Sequence, residues 1–362
     1  MPRYRQNLQF QLINTSTAPL KFLTAAKLTG EKISYFCVWE CFYLKRKITV
    51  IMLASLAVAL LLCVGMLYFI GLQVFNGTTQ LVTNEDTAGV PEKFWKDYNL
   101  NYDEFCNKYR IEKVKIISSF DGHIIPGDYI YAPQSDASKN NKTVILVHGL
   151  GGNRYTNYPY AELFLEQGYN VLTYDQRSTN ENTAKYTTFG YWEKYDLIDC
   201  IQYVLDNAPG KIIGVWGQSY GGATASLAIG YKGTDEKVDF LILDCPISSM
   251  EWMIKNELKD MALGLPVGFL TWTGSVVNEI KLGFSYKDAE VSTAVKNIEI
   301  PVLIINSMAD TVTPYFMGKD IFDSIRGNNK WMWTVEDSKH AMIWLDYNQE
   351  YRAKVIELLN NI

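Results

Sequence analysis

Hydrophobic and polar positions divide the chain into two parts with different patterns. Residues 48–72 form one apolar run that contains no charged residue. Because an α-helix rises about 1.5 Å per residue, this run exceeds the roughly 30 Å hydrocarbon core of a bilayer, and a helix inside a globular core rarely stays apolar on every face for so long. A cleaved signal peptide has a shorter apolar region, followed by a small-x-small site that is missing here. The run therefore predicts one uncleaved transmembrane anchor.

The charges on either side of this run predict its direction in the membrane. Three basic residues at 45–47 directly precede it, and the first charges after it are acidic, at 85–86. The positive-inside rule then places residues 1–47 in the cytoplasm as a tail, and everything after the anchor on the far side of the cell membrane. Residues 1–43 carry no pattern that indicates a fold. They are either a short tail or the result of a start position assigned too far upstream. We expect residues 73–110 to be a membrane-proximal connector.

Beyond residue 110, short apolar runs typical of buried strands alternate with amphipathic stretches typical of helices. The predicted strands are 112–120, 124–131, 143–147, 170–174, 211–216, 238–243, 302–305 and 331–335, and the predicted helices are 160–167, 191–207, 220–229 and 341–359. Continuous apolar strands that alternate with helices indicate a mostly parallel sheet covered on both faces. The sequence therefore predicts one α/β domain over residues 111–362.

A long insertion interrupts this alternation at about residues 250–298. It is rich in Trp, Leu and Met, and it is too long for a simple connection between two strands. We expect it to form a helical cap over the functional site. Its apolar residues include Trp252, Leu263, Leu265, Phe269, Leu270 and Trp272. These side chains either pack the cap against the body of the domain or contact an apolar substrate.

Composition limits the classes of function. Of the 362 residues, 48% are hydrophobic and 20% are charged, which permits a sizeable core. The formal net charge of −5 argues against a nucleic-acid-binding protein, which needs a basic face. The six cysteines form no CxxC pair and the three histidines are scattered, so we expect neither a metal site nor a cofactor. Cys106 and Cys200 could pair in an oxidising compartment, although their spacing alone does not show it.

Residues 217–221, Gly-Gln-Ser-Tyr-Gly, match the GxSxG pattern of a nucleophile elbow. The elbow requires a tight turn between a strand and a helix, so that the serine hydroxyl projects clear of the sheet. Flanking glycines let backbone segments pass closely without a Cβ clash. The predicted strand 211–216 precedes the motif and the small-residue helix 220–229 follows it. Ser219 is therefore the candidate nucleophile.

The candidate acid and base follow the serine along the chain. Asp310 ends a strand-like segment, and His340 lies in the loop after the last predicted strand. The order serine, acid, histidine, with each residue after the carboxyl end of a strand, predicts a catalytic triad of Ser219, Asp310 and His340. Asp244 is the alternative acid, although a role in positioning the Cys-Pro turn that follows it fits better.

A glycine-rich turn, residues 148–152, follows the first predicted parallel strand. A tetrahedral intermediate needs two N–H donors aimed at its oxyanion, and the backbone N–H groups of Leu150 and Tyr220 are the natural pair. The alternative is a turn that only reverses the chain. We expect His148 to be a structural residue of this turn, and His123, in the early hairpin, to take no part.

These motifs resemble those of the α/β-hydrolase superfamily over roughly residues 111–362. The matching segments are HGLGGN at 148–153, YDQR at 174–177, GQSYGG at 217–222, ADTVTP at 309–314 and SKHAM at 338–342. The likeness is closest to single-pass bacterial members grouped with serine aminopeptidase-like and monoglyceride lipase-like enzymes. It implies an α/β-hydrolase fold, an esterase, lipase, thioesterase or peptidase activity, and a structural role for Asp175 and Arg177. Residues 178–192 depart from the usual glycine- and serine-containing turn, so we expect a reshaped loop on the substrate side.

The leading hypothesis is a membrane-anchored serine hydrolase that cleaves an ester or related acyl bond of a small-molecule or lipid-like substrate. Serine peptidase, aminopeptidase or acyltransferase activity on the same triad is an alternative, because these reactions share the acyl-enzyme step. A non-catalytic, membrane-tethered binding protein is an alternative of a different class. An intact triad argues against it, since a scaffold has no physical need for all three side chains.

Overall fold

The computed structural model describes residues 30–98, 100–133, 142–207, 212–261 and 264–362. Part of the predicted tail, residues 1–29, and Leu263 of the predicted cap lie outside the described residues. The chain divides into two compact units, one ending at Met66 and one comprising Leu67–Ile362. The second unit contains the sheet and the cap.

An eight-stranded sheet forms the centre of the second unit. Its strands are β1 (Arg110–Ile117), β2 (Ile124–Tyr131), β3 (Lys142–Val147), β4 (Asn170–Tyr174), β5 (Ile212–Gln218), β6 (Phe240–Asp244), β7 (Val302–Ser307) and β8 (Lys330–Val335). The spatial order is β1-β2-β4-β3-β5-β6-β7-β8. The first two strands pair antiparallel, β2 also pairs antiparallel with β4, and all later pairings are parallel. The predicted mostly parallel sheet is confirmed.

Twelve α-helices occur in the described part of the chain. They are α1 (Gly30–Thr79), α2 (Glu92–Asp97), α3 (Tyr102–Lys108), α4 (Tyr158–Glu166), α5 (Glu193–Asn207), α6 (Tyr220–Ile229), α7 (Met250–Asp260), α8 (Val267–Leu282), α9 (Val291–Ala294), α10 (Tyr315–Ser324), α11 (Ile343–Asp346) and α12 (Asn348–Leu359). The prediction of one closing helix over 341–359 was wrong in one respect. Tyr347, at φ −130° and ψ 41°, leaves the helical conformation and separates α11 from α12.

The sheet separates two hydrophobic cores, and alternate residues of each strand enter opposite cores. Ile145 of β3 packs with Leu197 of α5 in one core, whereas Leu146 packs with Phe164 of α4 in the other. Successive side chains of a strand point to opposite faces, so a sheet covered on both faces needs apolar residues at every position. This explains why the strands appear in the sequence as continuous apolar runs.

The insertion between β6 and β7 is helical, as the sequence predicts. It contains α7, α8 and the short α9. Ser249 caps the amino end of α7, where its hydroxyl accepts a hydrogen bond from the Trp252 N–H at 3.1 Å. Gly283, with a φ of 77°, ends α8 in the left-handed conformation that glycine adopts readily.

The long helix α1 contains the predicted anchor and extends beyond both of its ends. By length and composition, its part Val38–Thr79 can cross a membrane, and none of its most apolar window is buried in the protein. The last turns of α1 belong to the same unit as the sheet, where Val74 and Phe75 join the hydrophobic core. Cys106 and Cys200 are free thiols, so no disulfide links them.

Candidate active site

The turn between β5 and α6 holds Ser219 in an unusual backbone conformation. Its φ is 53° and its ψ is −114°, a region that residues other than glycine rarely adopt. A Cβ on Gly221 would stand 2.1 Å from the Val147 carbonyl oxygen, and one on Gly217 would stand 2.4 Å from the Gly221 carbonyl oxygen. Only glycine permits such close backbone contacts. The Ser219 N–H donates to the Asp244 carbonyl at 2.8 Å, which anchors the turn to β6.

The structure brings the three predicted triad side chains together. His340 Nε2 lies 2.9 Å from Ser219 Oγ, and His340 Nδ1 lies 2.7 Å from Asp310 Oδ2. The three residues follow β5, β7 and β8, whose carboxyl ends share one edge of the sheet. Both distances are within the range of hydrogen bonds between a nucleophile, its base and an orienting acid.

Asp310 is buried and accepts several hydrogen bonds besides that of His340. Its Oδ1 accepts from the N–H groups of Val312 at 2.8 Å and Thr313 at 2.9 Å, and its Oδ2 accepts from the Thr313 hydroxyl at 2.9 Å. Burial by itself raises the pKa of Asp310, but the hydrogen bond and charge of His340 and the Thr313 donors outweigh it, and the pKa lies below its usual value. The carboxyl group is therefore ionised at neutral pH.

Thr313 is a site residue that the sequence analysis did not identify. Its hydroxyl oxygen lies 3.1 Å from His340 Nδ1 and 3.0 Å from the Cys245 carbonyl oxygen. The signal in the sequence is the Asp-x-x-Thr spacing, because an aspartate commonly accepts from backbone N–H groups two and three residues later. Thr313 thus fixes the orientation of the acid relative to the imidazole.

Asp244, the alternative acid, lies in a different network. Its Oδ2 accepts from Gln218 Nε2 at 3.3 Å and from the Tyr351 hydroxyl at 3.2 Å, and Tyr351 in turn accepts from Trp216 Nε1 at 2.9 Å. Burial raises the pKa of Asp244 to about 6. Among the described residues, the carboxylate hydrogen-bonded to His340 is that of Asp310. The geometry therefore favours Asp310 over Asp244 as the acid.

The glycine-rich turn after β3 passes directly beside the serine. A Cβ on Gly149 would stand 3.6 Å from Ser219 Cβ, and Leu150 follows at once with an exposed side chain. Tyr220 is the first residue of α6, where a backbone N–H has no acceptor within the helix. Its own side chain is buried, and its hydroxyl donates to Glu193 Oε1 at 2.9 Å. The two predicted oxyanion donors therefore belong to segments that adjoin Ser219.

His148 holds the glycine-rich turn in place. Its Nε2 accepts from the Gln176 N–H at 3.0 Å, so its Nδ1 carries the proton and donates to the Gly149 carbonyl at 2.8 Å. Burial lowers the pKa of His148 to about 4. The imidazole is therefore neutral at pH 7, in agreement with the structural role expected from the sequence.

Two buried arginines fix the loop that follows β4. Asp175 accepts from the Arg154 N–H at 2.9 Å and pairs with its guanidinium group. Arg177 donates to Asp196 Oδ1 at 2.9 Å and to Asp121 Oδ2 at 2.8 Å. The structural role implied for Asp175 and Arg177 agrees with these contacts. Sequence reasoning missed Arg154, because its partners lie far from it along the chain, on β2 and in the loop after β4.

His123, which was expected to take no part in the site, belongs to the same network as Arg177. Its Nδ1 lies 2.6 Å from Asp121 Oδ1. Asp121 thus accepts from both His123 and Arg177. The contact between Arg177 and Asp121 joins the early hairpin to the loop after β4.

One cluster in the described part of the chain has metal-ligand atoms close together. It consists of Cys245, Asp310 and His340, whose ligand atoms lie within 4.8 Å of one another. Asp310 and His340 already bond to each other, and the Thr313 hydroxyl lies between them. Burial raises the pKa of the Cys245 thiol, which disfavours the thiolate that a metal needs. The arrangement fits a hydrogen-bonded triad better than a metal site.

Comparisons with known proteins agree on the fold. A family model described as alpha/beta hydrolase fold matches residues 142–285. The uncharacterized protein YqkD of Bacillus subtilis (strain 168) is 30% identical over 263 residues, which cover 72% of this chain and 84% of that protein. Among solved structures, the Pyrococcus furiosus esterase Pf2001 superimposes with a TM-score of 0.58 at 24% identity, covering 77% of this chain and 99% of that one.

The name of a more distant relative states an activity. The lysophosphatidylserine lipase ABHD12 of Danio rerio is 23% identical over 187 residues, which cover 51% of this chain. The match covers 47% of that protein, so this chain spans less than half of its length.

The neutral, buried His148 predicts a pH-dependent contribution to stability. Its pKa is about 4 in the folded protein and near 6.5 when unfolded. Between these values the unfolded state binds a proton that the folded state does not, so stability is lost as the pH falls from 6.5 towards 4. Relative to His148→Gln, the wild type should lose roughly 1.4 kcal/mol of unfolding free energy per pH unit in this window.

Denaturant unfolding of both proteins at several pH values measures this difference. The buried aspartates titrate in both proteins, so their contribution cancels. A difference in unfolding free energy that stays constant across the window contradicts the prediction.

Proposed function

The chain belongs to the α/β-hydrolase family, and from this premise we propose that it is a serine hydrolase that cleaves an ester or related acyl bond. The observation that carries the proposal is the pair of hydrogen bonds on His340, at 2.9 Å to Ser219 Oγ and 2.7 Å to Asp310 Oδ2. They connect an alcohol, a base and an ionised acid in the order that nucleophilic catalysis requires.

In the proposed first half-reaction, His340 Nε2 removes the Ser219 proton as the hydroxyl oxygen attacks the carbonyl carbon of the substrate. The carbonyl oxygen becomes an oxyanion, which the N–H groups of Leu150 and Tyr220 stabilise. The tetrahedral intermediate collapses when the imidazolium gives its proton to the leaving group. The product that remains is an acyl ester of Ser219.

In the second half-reaction, water attacks the acyl-enzyme while His340 Nε2 removes its proton. The serine oxygen then leaves and recovers a proton from the imidazolium, which restores the starting state. Asp310 keeps the proton of the resting imidazole on Nδ1 and stabilises the imidazolium. Thr313 supports this role, because its N–H and hydroxyl keep the carboxylate ionised and oriented.

Exposed apolar residues around the triad support an acyl substrate that is small or lipid-like. Leu150 follows the turn beside the serine, and Met308, Val312 and Phe316 adjoin the acid along the chain, all with exposed side chains. Apolar contacts of this kind suit a hydrocarbon chain. The lipase activity in the name of the distant relative ABHD12 supports the same class.

Peptidase, aminopeptidase and acyltransferase activities remain alternatives on the same triad. The acylaminoacyl peptidase of Pyrococcus horikoshii shares the fold, with a TM-score of 0.52 at 15% identity. All of these reactions use an acyl-enzyme and differ in the acyl group or its acceptor. Relative rates on nitrophenyl esters and aminoacyl amides therefore distinguish them.

We further propose that α1 anchors the protein in the cell membrane, with residues 1–47 in the cytoplasm and the hydrolase domain outside. The basic residues at 45–47 before the apolar run support this direction. Protease added to intact cells should digest the hydrolase domain and spare a cytoplasmic marker protein. A domain that is digested only after the cells are permeabilised contradicts this orientation.

Replacement of the nucleophile should abolish both labelling and turnover. We expect a fluorophosphonate probe to label the wild type and Ser226→Ala, and to leave Ser219→Ala unlabelled. Ser226 is a matched control, because it is a buried serine of helix α6, whose amino end Ser219 directly precedes. Ester hydrolysis by Ser219→Ala should fall by a factor of about 10⁴ or more. A folded wild type that reacts with neither probe nor ester supports the binding-protein alternative.

Two matched substitutions identify the acid. Asp310→Asn should lower kcat by a factor of about 10⁴, because an asparagine amide favours the wrong imidazole tautomer. Asp244→Asn keeps the shape of the side chain at a position outside the triad. The kcat of this variant should therefore stay within about tenfold of the wild-type value. Steady-state kinetics at neutral pH measure both. A larger loss in Asp244→Asn than in Asp310→Asn assigns the acid to residue 244 instead.

A further inference from the structure

The cap helix α8 carries a stripe of apolar side chains that the core covers only in part. It comprises Trp272, Val276 and Ile280, and Phe269, which is partly buried against the core, lies at its amino end. Spacings of three and four residues place these side chains on one helical face. Trp272 is 55% exposed and Ile280 is 67% exposed. Exposed apolar residues that share one helical face in this way mark an interaction surface.

The adjacent face of α8 packs closely against the last turns of α1. A Cβ on Gly71 would stand 2.4 Å from the Thr273 carbonyl oxygen, and one on Gly274 would stand 2.4 Å from Val74 Cγ1. Glycine on each helix therefore permits the crossing, because any larger residue would collide with the opposite helix. These contacts fix α8 to α1 at the level of residues 71–74.

The exposed surface of α1 changes from apolar to polar at this same level. Tyr68 and Phe69 are 42% and 60% exposed, whereas the next exposed positions, Gln73 and Asn76, are polar. Aromatic side chains concentrate where a spanning helix meets the membrane–water interface. Since one helical turn rises about 5.4 Å, Gly71 lies within a turn of this transition. Helix α8 therefore crosses α1 where α1 leaves its apolar run.

We propose that the apolar stripe of α8 lies in the lipid interface of the membrane that α1 enters, so that the cap forms a second membrane contact. An interfacial helix buries an apolar face with large side chains at the boundary of headgroups and acyl chains. The bilayer is favoured over a second copy of the chain for two reasons. The helix that carries the stripe contacts α1 at Gly71, at the end of its apolar run, and this contact lies at the level of the polar transition.

This surface is distinct from the triad, so the proposal is independent of the proposed reaction and rests on the proposed anchoring of α1 in the membrane. The test measures tryptophan fluorescence of the full-length protein in phosphatidylcholine vesicles, with and without bromine on the acyl chains near the headgroups. Brominated lipid quenches only those tryptophans that touch it. The Trp272→Tyr variant should lose part of the quenching that the wild type shows.

Trp331→Tyr is the matched control, because Trp331 is also an exposed tryptophan but belongs to the edge strand β8. Its quenching should equal that of the wild type. Equal quenching in Trp272→Tyr and the wild type overturns the proposal. A full-length dimer in detergent that becomes monomeric in Trp272→Ser/Ile280→Ser also overturns it, because that result assigns the stripe to a second copy.

Discussion

The close backbone packing around Ser219 is the constraint on which the rest of the site depends. The serine adopts a positive φ that costs on the order of 1–3 kcal/mol for a residue with a side chain. This conformation requires Gly221 to pass within contact distance of the Val147 carbonyl. Neither glycine of the motif can accept a side chain without moving β3 or α6. The turn therefore aims the hydroxyl at the imidazole before any substrate arrives.

Buried polar groups hold the loops around this turn in fixed positions. His148, neutral because it is buried, spans the glycine-rich turn and the loop after β4. Arg154 joins that loop to β2 through Asp175 and Asp128. Buried charges are tolerated only when they are paired and hydrogen-bonded. The glycine-rich turn that carries the proposed Leu150 donor is thus positioned by a neutral histidine, and the loop beside it by paired charges, rather than by apolar packing alone.

The sequence predicted the strands well, and the three side chains that it indicated as a triad lie within hydrogen-bonding distance of one another. Both features leave strong local patterns. Burial on two faces makes each parallel strand continuously apolar, and the scarcity of histidine left His340 as the only histidine after the acid. Other features depend on tertiary contacts that no local pattern records. Helix α10 was missed, as were the short α2 and α3, and the break at Tyr347 follows no proline or glycine. The packing of Val74 and Phe75 in the core is equally invisible, because these residues lie in the segment after the apolar run, where the sequence predicts only a connector.

The proposed chemistry requires that the acyl group be transferred to one identified oxygen. Rapid acid quenching of the wild type during turnover of a nitrophenyl ester, followed by peptide mass spectrometry, observes this intermediate directly. We predict an acyl mass on the peptide that contains Ser219, formed fast enough to account for the steady-state rate. Turnover without acylation of that peptide, or with the acyl group on another residue, contradicts the account.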